Sequence, residues 1–319
     1  MRTTRLAPSP TGALHLGNAR TFLINWLMAR RNGWRILLRI EDLDGPRVRP
    51  GADRQAINDL RWLGLDWDEG PVYQSQRRTR YQQALGALAA GGHLYPCVCT
   101  RGDIARAASA PHAEDGSSVY PGTCRGRFAS VEQAAQLSGR SPALRFAVPD
   151  RIVSFHDGIA GDVSHAVARD LGDFIVAKGD GTPAYQLAVV VDDLEAGVTD
   201  IVRGDDLLDS TPRQMLIYEA LGASAAIPRY HHVPLVVGQD GRRLAKRHGD
   251  TRLSEYRRAG VPPSRVLALL ARWCGLEIDP WRGRPADLLD RFHSVPPGRI
   301  VFTAADDRWL RAGAQSHEH

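Results

Sequence analysis

Between a strand signal at residues 4–7 and a helix signal at 19–32 runs the string Pro8-Ser9-Pro10-Thr11-Gly12-Ala13-Leu14-His15-Leu16-Gly17-Asn18. An apolar strand, a turn dense in Pro, Gly and small polar residues, and then a helix make the opening of a βα unit. That opening commits the chain to a parallel sheet, because the next parallel strand can be reached only by a crossover. The turn is also suited to an anion. Pro8 and Pro10 end the strand, Gly12 and Gly17 let backbone approach a ligand, and the helix start offers unpaired N–H groups at the positive end of its dipole. His15 stands beside them as a donor. An ordinary strand-to-helix turn with a surface histidine is the competing reading, and glycines alone do not separate the two.

The rhythm continues with a buried strand at 35–40 ending in Glu41-Asp42 and helices at 52–63 and 78–90. This βαβα order predicts a doubly wound, Rossmann-like parallel sheet, whose ligands gather at the carboxyl ends of the strands. One such end is the Pro-Ser-Pro loop, a second carries Glu41, Asp42 and Asp44, and a third is Val202-Arg203-Gly204-Asp205-Asp206, after the apolar run at 188–191. From 93 to 185 the pattern turns irregular and rich in Gly, Pro and Ser, which predicts an inserted, smaller α+β module. The tail from Leu253 reads as helical, with an amphipathic period at 265–273. The expected division is therefore 1–92 and 186–240 as two halves of an α/β domain, 93–185 as the insertion, and 241–319 as a loop with a helical subdomain.

A chain of 319 residues with 43% apolar content can bury a large core and fill about two domains. Its net charge of +5 suits a polyanionic partner without requiring one. There is no apolar run of about 18 residues and no cleavable apolar leader, so the expectation is a cytoplasmic protein with no membrane contact. Four Cys fit reduced thiols or a metal better than a disulfide framework.

Two further segments carry chemistry. Gly241-Arg242-Arg243-Leu244-Ala245-Lys246-Arg247-His248-Gly249 is a cationic loop following Val233-Pro234-Leu235-Val236-Val237. Lysine occurs only at 178 and 246, so its use inside an arginine-rich loop reads as chosen: a compact ammonium on a flexible stem can follow charge moving onto a phosphate. In the insertion, Cys97-Val98-Cys99 and Tyr120-Pro121-Gly122-Thr123-Cys124 bring three thiols into 28 residues, a tetrahedral zinc site short of one ligand. General chemistry nominates His93 or His112 as the fourth. Three reduced thiols without metal is the plainer alternative, and isolated Cys274 reads as a small core residue.

The string from Pro8 to Asn18 resembles the first signature of the class I aminoacyl-tRNA synthetases, known as HIGH, and most closely that of the glutamyl branch. The cationic loop resembles the second signature, KMSKS, in the form Lys-Leu-Ser-Lys-Arg-His-Gly, with Arg243 at the first Lys and Ala245 at the Ser. The resemblance implies a catalytic domain of Rossmann type with a zinc-binding α+β insertion and a C-terminal helical subdomain. It implies activation of L-glutamate by ATP with Mg²⁺, His15 and Lys246 being catalytic. ATP would be held by Pro8, His15, Gly17, Asn18, Arg243, Leu244, Ala245, Lys246 and Arg247. The glutamate positions of the family fall on Arg5, Leu6, Ala7, Pro8, Ser9, Glu41, Tyr185 and Arg203. The charges suit that substrate: Glu41 for the ammonium, Arg5 and Arg203 for the side-chain carboxylate, and a Tyr185 hydroxyl beside them. Tyr120 matches the tyrosine of the family's Cys-x-Cys and Tyr-x-x-x-Cys set, which implies one structural zinc on Cys97, Cys99, Tyr120 and Cys124.

Only 72 residues follow Arg247, so no anticodon-binding domain is expected. The chain is accordingly most similar to a shortened branch of the family, which transfers glutamate to the cyclopentenediol of queuosine at the wobble base of tRNA(Asp). Its expected partners are ATP, L-glutamate and queuosine-bearing tRNA(Asp), with the enzyme as a monomer. The other readings are a minimal synthetase charging the acceptor end of tRNA(Glu) and a non-catalytic tRNA-binding paralogue. The second is disfavoured by the presence of both His15 and Lys246.

Overall fold

A computed structural model describes residues 1–43, 45–107, 119–242, 244 and 250–312. Its first half runs β1 (Thr3–Leu6), α1 (Leu16–Arg31), β2 (Arg35–Ile40), α2 (Ala52–Trp62), β3 (Glu69–Tyr73) and α3 (Arg78–Ala90). β1 and β2 pair in parallel with Leu6 opposite Leu38, and β2 pairs in parallel with β3. Almost every residue of β1 and β2 is buried, as required of parallel strands covered by helices on both faces. Helix α1 is capped by His15, whose Nδ1 accepts from the Asn18 N–H at 3.4 Å, and carries Arg30 and Arg31 in its last turn, where the dipole favours cations. Gly33, in the left-handed region at φ 64°, turns the chain back into Trp34 and β2.

The middle of the chain holds β4 (Leu94–Cys97), α4 (Arg101–Ala107), α5 (Val131–Ser138), β5 (Ala143–Phe146), β6 (Ile152–Asp157), β7 (Gly161–Ala166), α6 (Val167–Asp170) and β8 (Phe174–Ala177). β4, β5 and β8 form an antiparallel sheet of their own. The β6–β7 hairpin does not belong to it, because β6 lies parallel to a strand of the main domain and extends that sheet. The separately bonded α+β unit is therefore narrower than the segment 93–185.

The second half continues with α7 (Tyr185–Glu195), β9 (Asp200–Gly204), α8 (Ser210–Ala220), β10 (Arg229–Val233) and β11 (Val236–Val237). The apolar run at 188–191 lies inside α7; the strand that ends at Arg203 and Gly204 is β9. β9 and β10 are parallel, with Arg229 opposite Asp200. β9 lies against β1, where the Thr199 N–H donates to the Thr3 carbonyl at 2.9 Å and the Thr3 N–H to the Thr199 hydroxyl at 2.9 Å. The spatial order is thus β3-β2-β1-β9-β10-β6-β7, with chain order reversing between β1 and β9. Such a switch point opens a crevice at the carboxyl ends of the two strands. The remainder, α9 (Leu253–Arg258), α10 (Pro263–Arg272), β12 (Ile300–Val301) and α11 (Ala304–Ala312), packs back onto α1 in one core with Leu23, Leu27 and Leu270, while β12 pairs with β11. No described helix is long and apolar enough to cross a membrane.

Candidate active site and metal centre

The turn after β1 is anchored from two sides. The Pro8 carbonyl accepts from the Glu41 N–H at 3.1 Å and the Pro10 carbonyl from the Arg49 N–H at 3.0 Å, which ties the turn to the end of β2. From the other side, the Leu16 N–H donates to the Thr251 carbonyl at 3.0 Å and the Leu253 N–H to the Leu14 carbonyl at 2.8 Å. His15 forms a β-bridge with Arg252 between those two bonds. The segment just past the second signature therefore abuts the first. A methyl group on Gly17 would stand 3.1 Å from His15 Cε1, so glycine at 17 leaves the imidazole its place. Leu244 is buried and its N–H donates to the Val236 carbonyl at 3.3 Å. Arg243, Ala245, Lys246 and Arg247 lie outside the described residues, as do Asp44 and His112.

Charge is concentrated at the switch point. Arg5 is buried on β1, with Nε 3.5 Å from Asp193 Oδ1 on α7. The same carboxylate accepts from Arg39 at 2.5 Å, and Arg39 also reaches Glu41 at 3.2 Å. Glu41 is 11% exposed, and Ser9 donates to its other oxygen at 3.5 Å. Burial raises the Glu41 carboxyl above its ordinary value, although Arg39 and Arg5 pull it down. Leu6 and Pro8 are buried and Ala7 half-buried along this edge. Tyr185, the first residue of α7, is 37% exposed and lies within the fields of Arg203, Glu41, Arg5 and Asp193. The structure thus brings Arg5, Glu41, Tyr185 and Arg203 to one crevice. Asp42 serves the fold instead, accepting from the Ser75 N–H at 2.8 Å and its hydroxyl at 2.6 Å.

Arg203, at the end of β9, is 5% exposed. Its Nε donates to His232 Nε2 at 3.0 Å, Nη1 to the Gln214 carbonyl oxygen at 2.8 Å, and Nη2 to Thr211 Oγ1 at 2.9 Å and the Leu207 carbonyl at 3.3 Å. All of these partners are neutral, and one of the five guanidinium N–H groups is unused. Arg5 and Arg39, by contrast, share a carboxylate. Among the described residues, Arg203 is the one buried arginine of the crevice without an ion-pair partner, so it presents a full positive charge to whatever binds there.

In the small sheet, Cys97 at the end of β4, Cys99 just beyond it and Cys124 place their sulfurs within 4.8 Å of one another. The Tyr120 hydroxyl lies 3.4 Å from Cys97 Sγ and 3.7 Å from Cys99 Sγ, and accepts from the Cys124 N–H at 2.8 Å. Arg145 packs over the Tyr120 ring at 3.7 Å and donates to Cys97 Sγ at 3.2 Å. Three soft donors and one oxygen lie together here, so this cluster could hold a metal. His93 does not join it; its ring stacks on Phe146 at 5.7 Å. Cys274 is buried away from the cluster, beside Arg20.

Sequence reasoning missed Arg39, Asp193, His232, Gln214 and Thr211. The signals were there as polar residues inside apolar runs: Asp192-Asp193 after Val189-Val190-Val191, and His231-His232 before Val233. A polar group placed where a core residue belongs needs a partner, and here the partners are buried arginines: Arg5 and Arg39 for Asp193, Arg203 for His232.

The family described as tRNA synthetases class I (E and Q), catalytic domain, matches residues 2–278. The chain is 50% identical over 297 residues to the glutamyl-Q tRNA(Asp) synthetase of Symbiobacterium thermophilum, covering 90% of this chain and 91% of that one. It is 44% identical over 273 residues to glutamate–tRNA ligase 2 of Halorhodospira halophila, but covers only 57% of that relative. Among solved structures, a glutamate tRNA ligase from Elizabethkingia meningosepticum in complex with its amino acid superposes with a TM-score of 0.77 at 28% identity, over 97% of this chain and 68% of that one.

Proposed function

The chain belongs to the class I tRNA synthetases for glutamate and glutamine, and from that membership and its crevice we propose that it activates L-glutamate and passes it to queuosine in tRNA(Asp). The observation that carries the glutamate reading is the buried Arg203 guanidinium with only neutral partners, beside Arg5 and Glu41. The acceptor rests on the relatives: the chain covers nine-tenths of a glutamyl-Q tRNA(Asp) synthetase, and little more than half of the glutamate–tRNA ligase.

In this reading Arg203, with Arg5 behind it, pairs with the substrate's side-chain carboxylate, Glu41 takes its ammonium, and the Tyr185 hydroxyl fixes the side chain between them. An oxygen of the α-carboxylate attacks the α-phosphorus of ATP, the bond to the β-phosphate oxygen breaks, and glutamyl-adenylate and pyrophosphate form. Such a step is driven by positioning and charge stabilisation. His15 accepts the Asn18 N–H on Nδ1, so its neutral ring carries the proton on Nε2, a donor for the phosphates at the α1 N-terminus. Gly17 and Asn18 line the nucleotide, Lys246 stabilises the charge on the departing pyrophosphate, and Mg²⁺ accompanies ATP. A queuosine hydroxyl then attacks the adenylate carbonyl carbon and AMP leaves. ATP–pyrophosphate exchange tests the first step: exchange should depend on glutamate and proceed without tRNA. Exchange with glutamine in preference to glutamate would reject the assignment of Arg203.

The cluster of Cys97, Cys99, Tyr120 and Cys124 fits a structural zinc, closed to water by four protein donors and pinning the segment 119–124 to β4. Elemental analysis should find one zinc per chain, lost in Cys99→Ser and reduced in Tyr120→Phe. Full zinc in Tyr120→Phe would move the fourth ligand elsewhere, with His112 the next candidate.

A further inference from the structure

Arg203 owes its lack of an anionic partner to what stands behind it. A guanidinium Nε can only donate, so the 3.0 Å bond from Arg203 Nε requires a lone pair on His232 Nε2. The ring proton must then sit on Nδ1, where it is donated to Asp157 Oδ2 at 2.6 Å. Asp157 is itself held by backbone: its Oδ1 accepts from the N–H groups of His232 at 3.0 Å, Ile159 at 2.9 Å and Ala160 at 2.8 Å. Burial works to raise the Asp157 carboxyl, but His232 and these N–H groups hold it at about 2. Burial lowers the His232 imidazole below its ordinary value, in keeping with a neutral ring. The result is a line of groups from β6 through β10 to β9 that ends on the substrate-facing arginine. Neither Asp157 nor His232 reaches the crevice, since both side chains are fully buried.

We propose that His232, fixed in its Nδ1–H tautomer by Asp157, is a positioning residue that orients Arg203 through a neutral acceptor, keeping its charge uncompensated and so setting the preference for glutamate over glutamine. The proposal rests on the reading of Arg203 as the partner of the substrate's side-chain carboxylate. A carboxylate at position 232 would orient the guanidinium equally well but would neutralise it. The cation would then have little more to gain from glutamate than from glutamine.

The test compares His232→Gln, which retains a neutral acceptor oxygen, with His232→Glu, which supplies a charged one. The readout is ATP–pyrophosphate exchange with each amino acid. His232→Glu should raise KM for glutamate by roughly a hundredfold and largely erase discrimination against glutamine, while KM for ATP stays within about twofold; His232→Gln should retain most of the discrimination. Undiminished discrimination in His232→Glu, or an equal rise in both KM values, would overturn the proposal. Should His232→Glu fail to fold, the ¹⁵N shifts of the wild-type imidazole decide: Nδ1–H at neutral pH is expected, and Nε2–H or an imidazolium would contradict it. Wild-type protein without glutamate-dependent exchange would instead bring down the activation reading itself, and the role of His232 with it.

Discussion

Replacing Arg203 by methionine is expected to lower kcat/KM for glutamate in ATP–pyrophosphate exchange by roughly three orders of magnitude, the equivalent of about 4 kcal/mol for breaking a buried ion pair from one side. The loss comes from two directions. The substrate carboxylate would enter a crevice whose remaining arginines, Arg5 and Arg39, are already engaged with Asp193. In addition, His232 Nε2, Gln214 Oε1 and Thr211 Oγ1 would each lose a buried donor. KM for ATP should barely move, since in this reading Arg203 pairs with the side chain of glutamate and makes no contact with the nucleotide. A thermal melt separates this effect from unfolding. A variant that melts as a folded protein yet activates glutamate at near wild-type efficiency would remove Arg203 from the binding site.

Lys246→Ala should lower kcat for adenylate formation about a hundredfold, corresponding to roughly 3 kcal/mol for one charge contact realised in the transition state. Because that contact is made to phosphoryl charge that builds up during the reaction, KM for glutamate should stay close to wild type. The loop is anchored on both sides, by Leu244 on Val236 and by Thr251 and Leu253 on the turn around His15, so loss of its lysine should leave the fold intact. Near-normal exchange in Lys246→Ala would sink the role given to this residue, and a large rise in glutamate KM would move it to substrate binding.

Much of this architecture was legible because the chain punctuates itself. Pro8, Pro10 and Gly12 mark the end of β1 to within a residue, and the Cys-x-Cys pair with a distant third thiol marks a cluster that could hold a metal. The residues proposed to face glutamate were nominated by their charges and by the family resemblance, and Glu41, Tyr185 and Arg203 do sit at a strand end or a helix start, where chemistry collects in an open α/β sheet. What stayed hidden depends on burial. In α7, positions 187 to 193 are all buried, so neither a two-residue nor a helical period shows, and the run at 188–191 does not announce its helix. Asp193 within it gave no sign that it would bridge Arg5 and Arg39, nor His232 that it would face Arg203. Such pairings join residues far apart in sequence and exist only once α7 lies against β1 and β2, and β10 beside β9. The β6–β7 hairpin escaped the expected boundary for the same reason, as its parallel partner β10 lies more than 70 residues along the chain.

Whether glutamate activated by this chain is delivered to queuosine is decided with two preparations of one tRNA. Purified enzyme, ATP and radiolabelled glutamate are incubated with tRNA(Asp) from cells that make queuosine and from cells that do not, with tRNA(Glu) alongside. Incorporation into the queuosine-bearing tRNA(Asp) alone is the predicted result. Equal incorporation into both preparations of tRNA(Asp), or stable charging of tRNA(Glu), would contradict it and assign the chain to acceptor-end charging instead.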